Sequence, residues 1–157
     1  MADLRILFVC LGNICRSPTA QGIFQQCLDA HPLARRIYVD SAGTGGWHAG
    51  SPPDARAIAA AAKHACDISN LRARQVVAAD FDTFDYILAM DADNLSHLEA
   101  MCPADFSGRL CRFLDFADMH ADVPDPYYGG DDGFEHVYAL CEQASRGLLK
   151  HLLAQHG

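Results

Sequence analysis

The run Leu4-Arg-Ile-Leu-Phe-Val9 passes directly into a loop, and the loop into a helical pattern. No other feature limits the fold as much. A short, β-rich apolar run reads as a strand buried on both faces. Ser17-Pro18 reads as a helix cap followed by proline at the first helical position. Ala20, Ile23, Phe24, Cys27 and Leu28 then recur at helical spacing, and the helix is expected to end near His31-Pro32. A strand joined to a helix in this way belongs to a βαβ unit, and its sheet is parallel.

The rest of the chain repeats the alternation. Strands are predicted at Ile37–Val39, Asp85–Met90 and Arg109–Phe113. Asp54 is placed as the cap of an alanine-rich helix reaching Cys66, and Asp91 as the cap of a helix through Leu95 and Leu98. An acidic, Pro- and Gly-containing loop spans Asp118–Gly130. Asp132 with Glu135 reads as a capping box for a last helix, with Phe134, Val137, Cys141, Leu148 and Leu152 on one face. The expected fold is α/β: a three-layer α/β/α sandwich on a four-stranded parallel sheet, flavodoxin-like, with a functional loop after the first strand. Residues 1–157 are expected to form a single domain.

Composition narrows the partners. The 157 residues carry 12 basic and 20 acidic side chains, a net charge of −8 with His neutral. That argues against nucleic acid or an anionic membrane as the main partner, though not against an anionic substrate held in a locally positive site. The N-terminus does not read as a secretory signal, and no apolar run approaches the ~18 residues of a membrane span. Seven irregularly spaced cysteines are expected to be free thiols in a reducing cytoplasm. No C-x-x-C occurs and the eight His are scattered, so a zinc site has little support; Gly43-Thr-Gly-Gly-Trp-His48 lacks the last glycine of a dinucleotide fingerprint and nothing resembles a Walker loop, so no metal or organic cofactor is expected.

Ligands of doubly wound sheets bind beyond the carboxyl ends of the strands, which directs attention to the loop after Val9. Cys10 and Arg16 stand there with five residues between them. The spacing alone is weak. Seven Cys and ten Arg in this length yield about half an occurrence by chance, and Cys66–Arg72 repeats it. Context separates the two. Gly12 permits a sharp bend and Asn13 a left-handed backbone. A loop curled in this way turns successive N–H groups inward as an anion nest, and the following helix adds its positive end. Dipoles of this kind hold a thiol as its thiolate near neutral pH. Arg16 offers a planar fork for two phosphate oxygens. Cys66 instead ends a helix, where the dipole is negative, beside Asp67.

Thiolate, nest and guanidinium together suit in-line attack of sulfur on a phosphate monoester, giving a cysteinyl-phosphate that water then hydrolyses. The leaving oxygen needs an acid. Asp125, between Pro124 and Pro126, is the candidate, with acidic neighbours such as Asp122 favouring a carboxyl that keeps its proton. Tyr127 and Tyr128 offer an apolar wall for an aromatic leaving group.

Val9-Cys-Leu-Gly-Asn-Ile-Cys-Arg-Ser-Pro18, Asp40-Ser-Ala-Gly-Thr44, Trp47 and Asp125-Pro-Tyr-Tyr128 together resemble the low-molecular-weight protein tyrosine phosphatases, over essentially the whole chain. The resemblance implies Cys10 as nucleophile, Arg16 as phosphate binder and Asp125 as acid, then as base for the water. Leu11, Gly12, Asn13, Ile14, Cys15 and Ser17 would complete the phosphate loop. Asn13, Ser17 and Ser41 would support it, and Leu11, Trp47, Tyr127 and Tyr128 would wall the phosphotyrosine pocket. Cys15 would protect Cys10 by forming a disulfide with it. Phosphotyrosine proteins are the implied substrates, a cognate bacterial tyrosine kinase among them. One departure stands out: many relatives carry a His where this chain has Leu71, so the support network must close differently here.

Other readings fit less well. Thioredoxin-coupled arsenate reductases share the fold and loop, but need two closely spaced redox cysteines, and Cys102 and Cys111 lie far apart in sequence. A phosphocarrier domain would need neither Arg16 nor an acid. A non-catalytic phosphotyrosine-binding module would not be expected to retain both Cys10 and Asp125.

Overall fold

A computed structural model describes residues 3–156. In chain order the elements are β1 (Leu4–Cys10), α1 (Arg16–Asp29), β2 (Ile37–Gly43), α2 (Ala55–Ala62), α3 (Asp80–Thr83), β3 (Tyr86–Ala89), α4 (Ala92–Met101), β4 (Arg109–Arg112) and α5 (Asp131–His156). Short 3₁₀ turns at Pro32–Arg36 and Phe113–Ala117 complete the list. The sheet has four parallel strands in the order β2-β1-β3-β4, the order of flavodoxin-like doubly wound sheets.

Alternation along β1 divides the core. Leu4, Ile6, Phe8 and Cys10 face the layer of α1, α2 and α5, where Phe8 meets Phe24 and Phe113 edge-on at 6.0 and 4.9 Å. Leu7 and Val9 face the other layer, with Phe81, Ile87 and Leu98. Both faces of the central strands β1 and β3 are therefore covered, which is why these two read as nearly continuous apolar runs, while the edge strands β2 and β4 keep exposed or half-exposed positions. No described helix is long and apolar enough to cross a membrane.

Several boundaries differ from expectation. Helix α1 starts at Arg16 with Cys15 at the cap position, so Ser17 lies inside the first turn and makes no cap bond. Its hydroxyl is taken by side chains of the site instead. Helix α2 is capped by Asp54, which accepts the Arg56 amide at 2.8 Å, but it ends at Ala62. Ala65 sits at φ +58° and the chain turns there, leaving Cys66 outside the helix. Asp91 caps α4 through the Asn94 amide at 2.7 Å. The capping box of α5 does not form. The helix already begins at Asp131, and Glu135 reaches Lys63 at 3.2 Å and His64 at 3.3 Å. Strand β2 runs on to Gly43, since its pairing with β1 continues to Cys10 opposite Gly43. Phe113 belongs to the 3₁₀ turn rather than to β4.

Candidate active site

The strand order reverses between β1 and β3, and the loops leaving those two strands meet at the carboxyl edge of the sheet. After Cys10 the chain bends through residues 11–15 and re-enters as α1. Asn13 holds the bend at φ +59°, a left-handed conformation that Asn tolerates. The loop carbonyls are tied to outside donors. Cys10 O accepts the Thr44 amide, Leu11 O the Gly45 amide and Ile14 O the Asp54 amide, at 2.8 to 2.9 Å. Gly43 lies so close that a Cβ there would stand 2.7 Å from Leu11 O, so only glycine fits.

Beneath the loop a directed hydrogen-bond network ends on sulfur. The Arg74 amide can only donate, and at 3.0 Å it fixes Asn13 Oδ1 toward itself. Asn13 Nδ2 then donates to Ser17 Oγ at 2.7 Å and Ser41 Oγ at 2.9 Å. Ser41, already accepting, gives its own proton to Gln21 Oε1 at 2.6 Å. Ser17 likewise has one proton to place. Cys10 Sγ lies 3.0 Å from its oxygen and Ala42 O 3.5 Å away, so the sulfur is the nearer acceptor. The Asn13 amide adds a second donor to Cys10 Sγ at 3.2 Å. Gln21 ends the network as its last acceptor. Leu71 packs half-buried against the main core.

Arg16 is buried, with 3% of its side chain exposed. Nη1 donates to Asp91 Oδ2 at 2.6 Å and to Val123 O at 3.0 Å, while Nη2 lies 3.7 Å from Asp125 Oδ2. Burial opposes its charge, but Cys10, Asp91 and Asp125 outweigh that and push its pKa up. Asp125 Oδ1 accepts the Tyr127 amide at 3.1 Å. Its expected neighbour Asp122 is engaged elsewhere, by the Ala92 amide at 2.9 Å and Arg112 at 3.3 Å. Burial foremost, then Asp54 and Cys10, push the Cys15 thiol far up.

These groups share a cavity of about 310 Å³. Cys10, Cys15 and Arg16 are among its lining residues, together with Leu11, Gly12, Ile14 and Asp125, and Trp47, Tyr127 and Tyr128 provide aromatic walls. Trp47 and Tyr128 are 73% and 94% exposed, so the rim is open and aromatic. Asn13, Ser17 and Ser41 lie behind it as buried support. Four contributors were not anticipated in these roles. His48 lines the cavity beside Trp47, against Gly12. Gln21 stands four residues beyond Ser17 on the same face of α1, a spacing that could have revealed it. Asp91 is both cap and Arg16 partner, and its place at the end of the strand beside β1 was the available signal. Arg74 contributes a backbone amide, which no side-chain pattern reports.

Comparison with known proteins agrees with this architecture. The family model described as low molecular weight phosphotyrosine protein phosphatase matches residues 5–156. The low molecular weight protein-tyrosine-phosphatase YfkJ of Bacillus subtilis is 42% identical over 153 residues, covering 94% of this chain and 97% of that protein. Its crystal structure superposes with a TM-score of 0.92 at 40% identity, over 100% of this chain and 99% of that one. The human low molecular weight phosphotyrosine protein phosphatase is 39% identical over 155 residues, covering 95% of this chain and 96% of that one. A protein tyrosine phosphatase from Entamoeba histolytica superposes with a TM-score of 0.91 at 37% identity, over 97% of this chain and 98% of that one. With fold, loop and length all matched, the chain belongs to the low molecular weight phosphotyrosine protein phosphatase family.

Proposed function

We propose that this protein hydrolyses phosphotyrosine in proteins, with Cys10, Arg16 and Asp125 as its reacting groups. The observation that supports this most is the double donation to Cys10 Sγ, from the Asn13 amide at 3.2 Å and Ser17 at 3.0 Å. Such donors stabilise negative charge on sulfur. Cys10 attacks phosphorus in line with the bond to the tyrosine oxygen. Arg16 and the loop amides take up the charge on the equatorial oxygens, Asp91 holding the guanidinium in plane meanwhile. Asp125 gives its proton to the departing phenolate. It then accepts one from the water that attacks the cysteinyl-phosphate, releasing inorganic phosphate and free Cys10.

The aromatic rim favours a tyrosine ring over the shorter phosphoserine. Cys15 serves as a guard: when peroxide oxidises Cys10 to its sulfenic acid, the Cys15 thiol condenses with it, water leaves and a disulfide remains. Seven free cysteines among the described residues favour a cytoplasmic setting, and a cognate bacterial tyrosine kinase is a natural substrate. The chain acts as one domain. The test is turnover of a phosphotyrosyl peptide by chelator-treated protein, followed by acid quench of a ³²P-labelled substrate. Label trapped on Cys10 is expected. Absence of turnover, or label on another residue, would overturn the assignment.

A further inference from the structure

The segment Asp54-Ala-Arg56 opens α2 and touches both halves of the site. Asp54 caps the helix, and its carboxylate also grips the Arg56 guanidinium, at 3.1 Å from Nε and 3.0 Å from Nη2. A fork held on one edge presents its remaining N–H groups in a fixed direction. Nη2 donates to Tyr127 O at 2.9 Å and Nη1 to Gly129 O at 3.3 Å. The guanidinium carbon stands 4.6 Å from the centre of the Phe134 ring and 5.6 Å from that of Tyr127. On the other side, the Asp54 amide donates to Ile14 O, in the Cys10 loop, at 2.8 Å.

The loop that carries Asp125 has no helix or strand of its own. Its upstream end is pinned where the Val123 amide meets Met90 O at 2.8 Å. Its downstream end is pinned by Arg56 at Tyr127, the residue whose amide Asp125 Oδ1 accepts at 3.1 Å. Arg56 thus holds one end of the residue that orients the carboxyl, and Asp54 refers that hold to the bowl around Cys10.

We propose that Arg56, oriented by Asp54, is a positioning residue that sets the reach of Asp125 to the leaving oxygen, so that it governs how well the enzyme expels poor leaving groups. The inference rests on the acid role given to Asp125 above. The pair is half-open to solvent at Arg56, and a water-screened ion pair between near neighbours adds little to stability, so the effect falls on geometry more than on folding.

The experiment measures kcat/KM for aryl phosphates whose phenols span weak to strong acids, with Arg56→Ala, Arg56→Gln and Asp125→Asn in the full chain. Phenyl phosphate needs a proton at its leaving oxygen and 2,4-dinitrophenyl phosphate scarcely does. Arg56→Ala is expected to lose about ten-fold or more on the former and less than about three-fold on the latter. Arg56→Gln, which keeps part of the stem and one neutral donor group, falls between. Inhibition by vanadate is unchanged, and amide exchange at Tyr127 and Gly129 quickens. Equal losses across the series, or an unaltered slope, would overturn the proposal, whichever Arg56 variant folds. Asp125→Asn separates the two claims. If it leaves the slope unaltered, the acid reading itself fails; if it alone steepens the slope, only the role of Arg56 is lost.

Discussion

Cys10-x₅-Arg16 and Cys66-x₅-Arg72 share a spacing and nothing else. Cys10 ends a central strand, and its arginine opens a helix. Cys66 follows the turn after α2, its amide donating to Ala61 O at 3.0 Å. Asp67 beside it folds onto Ser69 in a local turn, and exposed Arg72 returns its donors to Ser69 O and Leu71 O. The Cys10 sulfur receives two hydrogen bonds, whereas burial, and then Asp67, push the Cys66 thiol up. The spacing of a motif therefore carries no chemistry. The backbone between the two ends carries it, by directing donors at the sulfur in one case and at its own turn in the other.

Exchange of equivalent residues breaks the comparison most strongly. Cys10→Ser should lower turnover of an aryl phosphate by about 10⁴-fold or more while phosphate still binds. Cys66→Ala should leave kcat within about two-fold and lower stability by about 1 kcal/mol, read by urea unfolding. The arginines should part in the same way. Arg16→Lys keeps the charge but loses the planar fork, and should cost about 10²–10³ in kcat. Arg72→Lys should change neither activity nor stability measurably. Comparable losses in the two segments would remove the distinction.

Asn13 is where backbone and network coincide, so its variants sharpen the comparison at intermediate size. Asn13→Ala deletes three side-chain bonds and leaves a Cβ at φ +59°. Asn13→Gly deletes the same bonds but relieves the backbone. Both should lose roughly ten- to a hundred-fold in kcat, short of the loss expected when a transition-state donor is removed outright. Only the alanine variant should also lose about 1 kcal/mol of stability from the left-handed conformation. If glycine restored activity, the network beneath the loop would be irrelevant and the bend alone would matter.

What the sequence disclosed follows from range. Periodicity and punctuation are local, and they place the four strands, the Asp54 and Asp91 caps and the bend at Gly12-Asn13. The Cys10 bowl is contiguous, so it too was readable as chemistry. Contacts that cross the fold were not. Ser17 reads from the local pattern as a cap, and only the family resemblance sets it behind the loop, where its hydroxyl meets Asn13 and Cys10. Glu135 looked like half of a capping box until α2 brought Lys63 and His64 beside it. Asp91 reads locally as a cap, and only its place at the end of the strand beside β1 points to a site role, because its bond to Arg16 spans 75 residues. Asp122 lies three positions before Asp125 and yet faces α4, since a loop fixes no periodicity by which side chains could be assigned.

The smallest expected difference lies in the pH dependence of stability. Cys66 is buried as a neutral thiol, and its folded pKa is raised above the ordinary value by desolvation first and Asp67 second. A raised folded pKa means that the unfolded chain loses its proton first as pH rises. The contribution of Cys66 is therefore complete below the unfolded thiol range near pH 8.5, and it is lost as pH climbs through the folded value. Urea unfolding of the parent chain should weaken from pH 8 to pH 10. Cys66→Ala, though less stable at pH 7, should weaken less over that span, so the two curves converge. Native-state labelling offers a second view of the same contrast. Iodoacetate at pH 7 should modify Cys10, with vanadate protecting it, and should leave Cys66 untouched until the chain unfolds. Parallel stability curves, or Cys66 labelled alongside Cys10, would mean that the second segment is not the closed, unreactive site its burial describes.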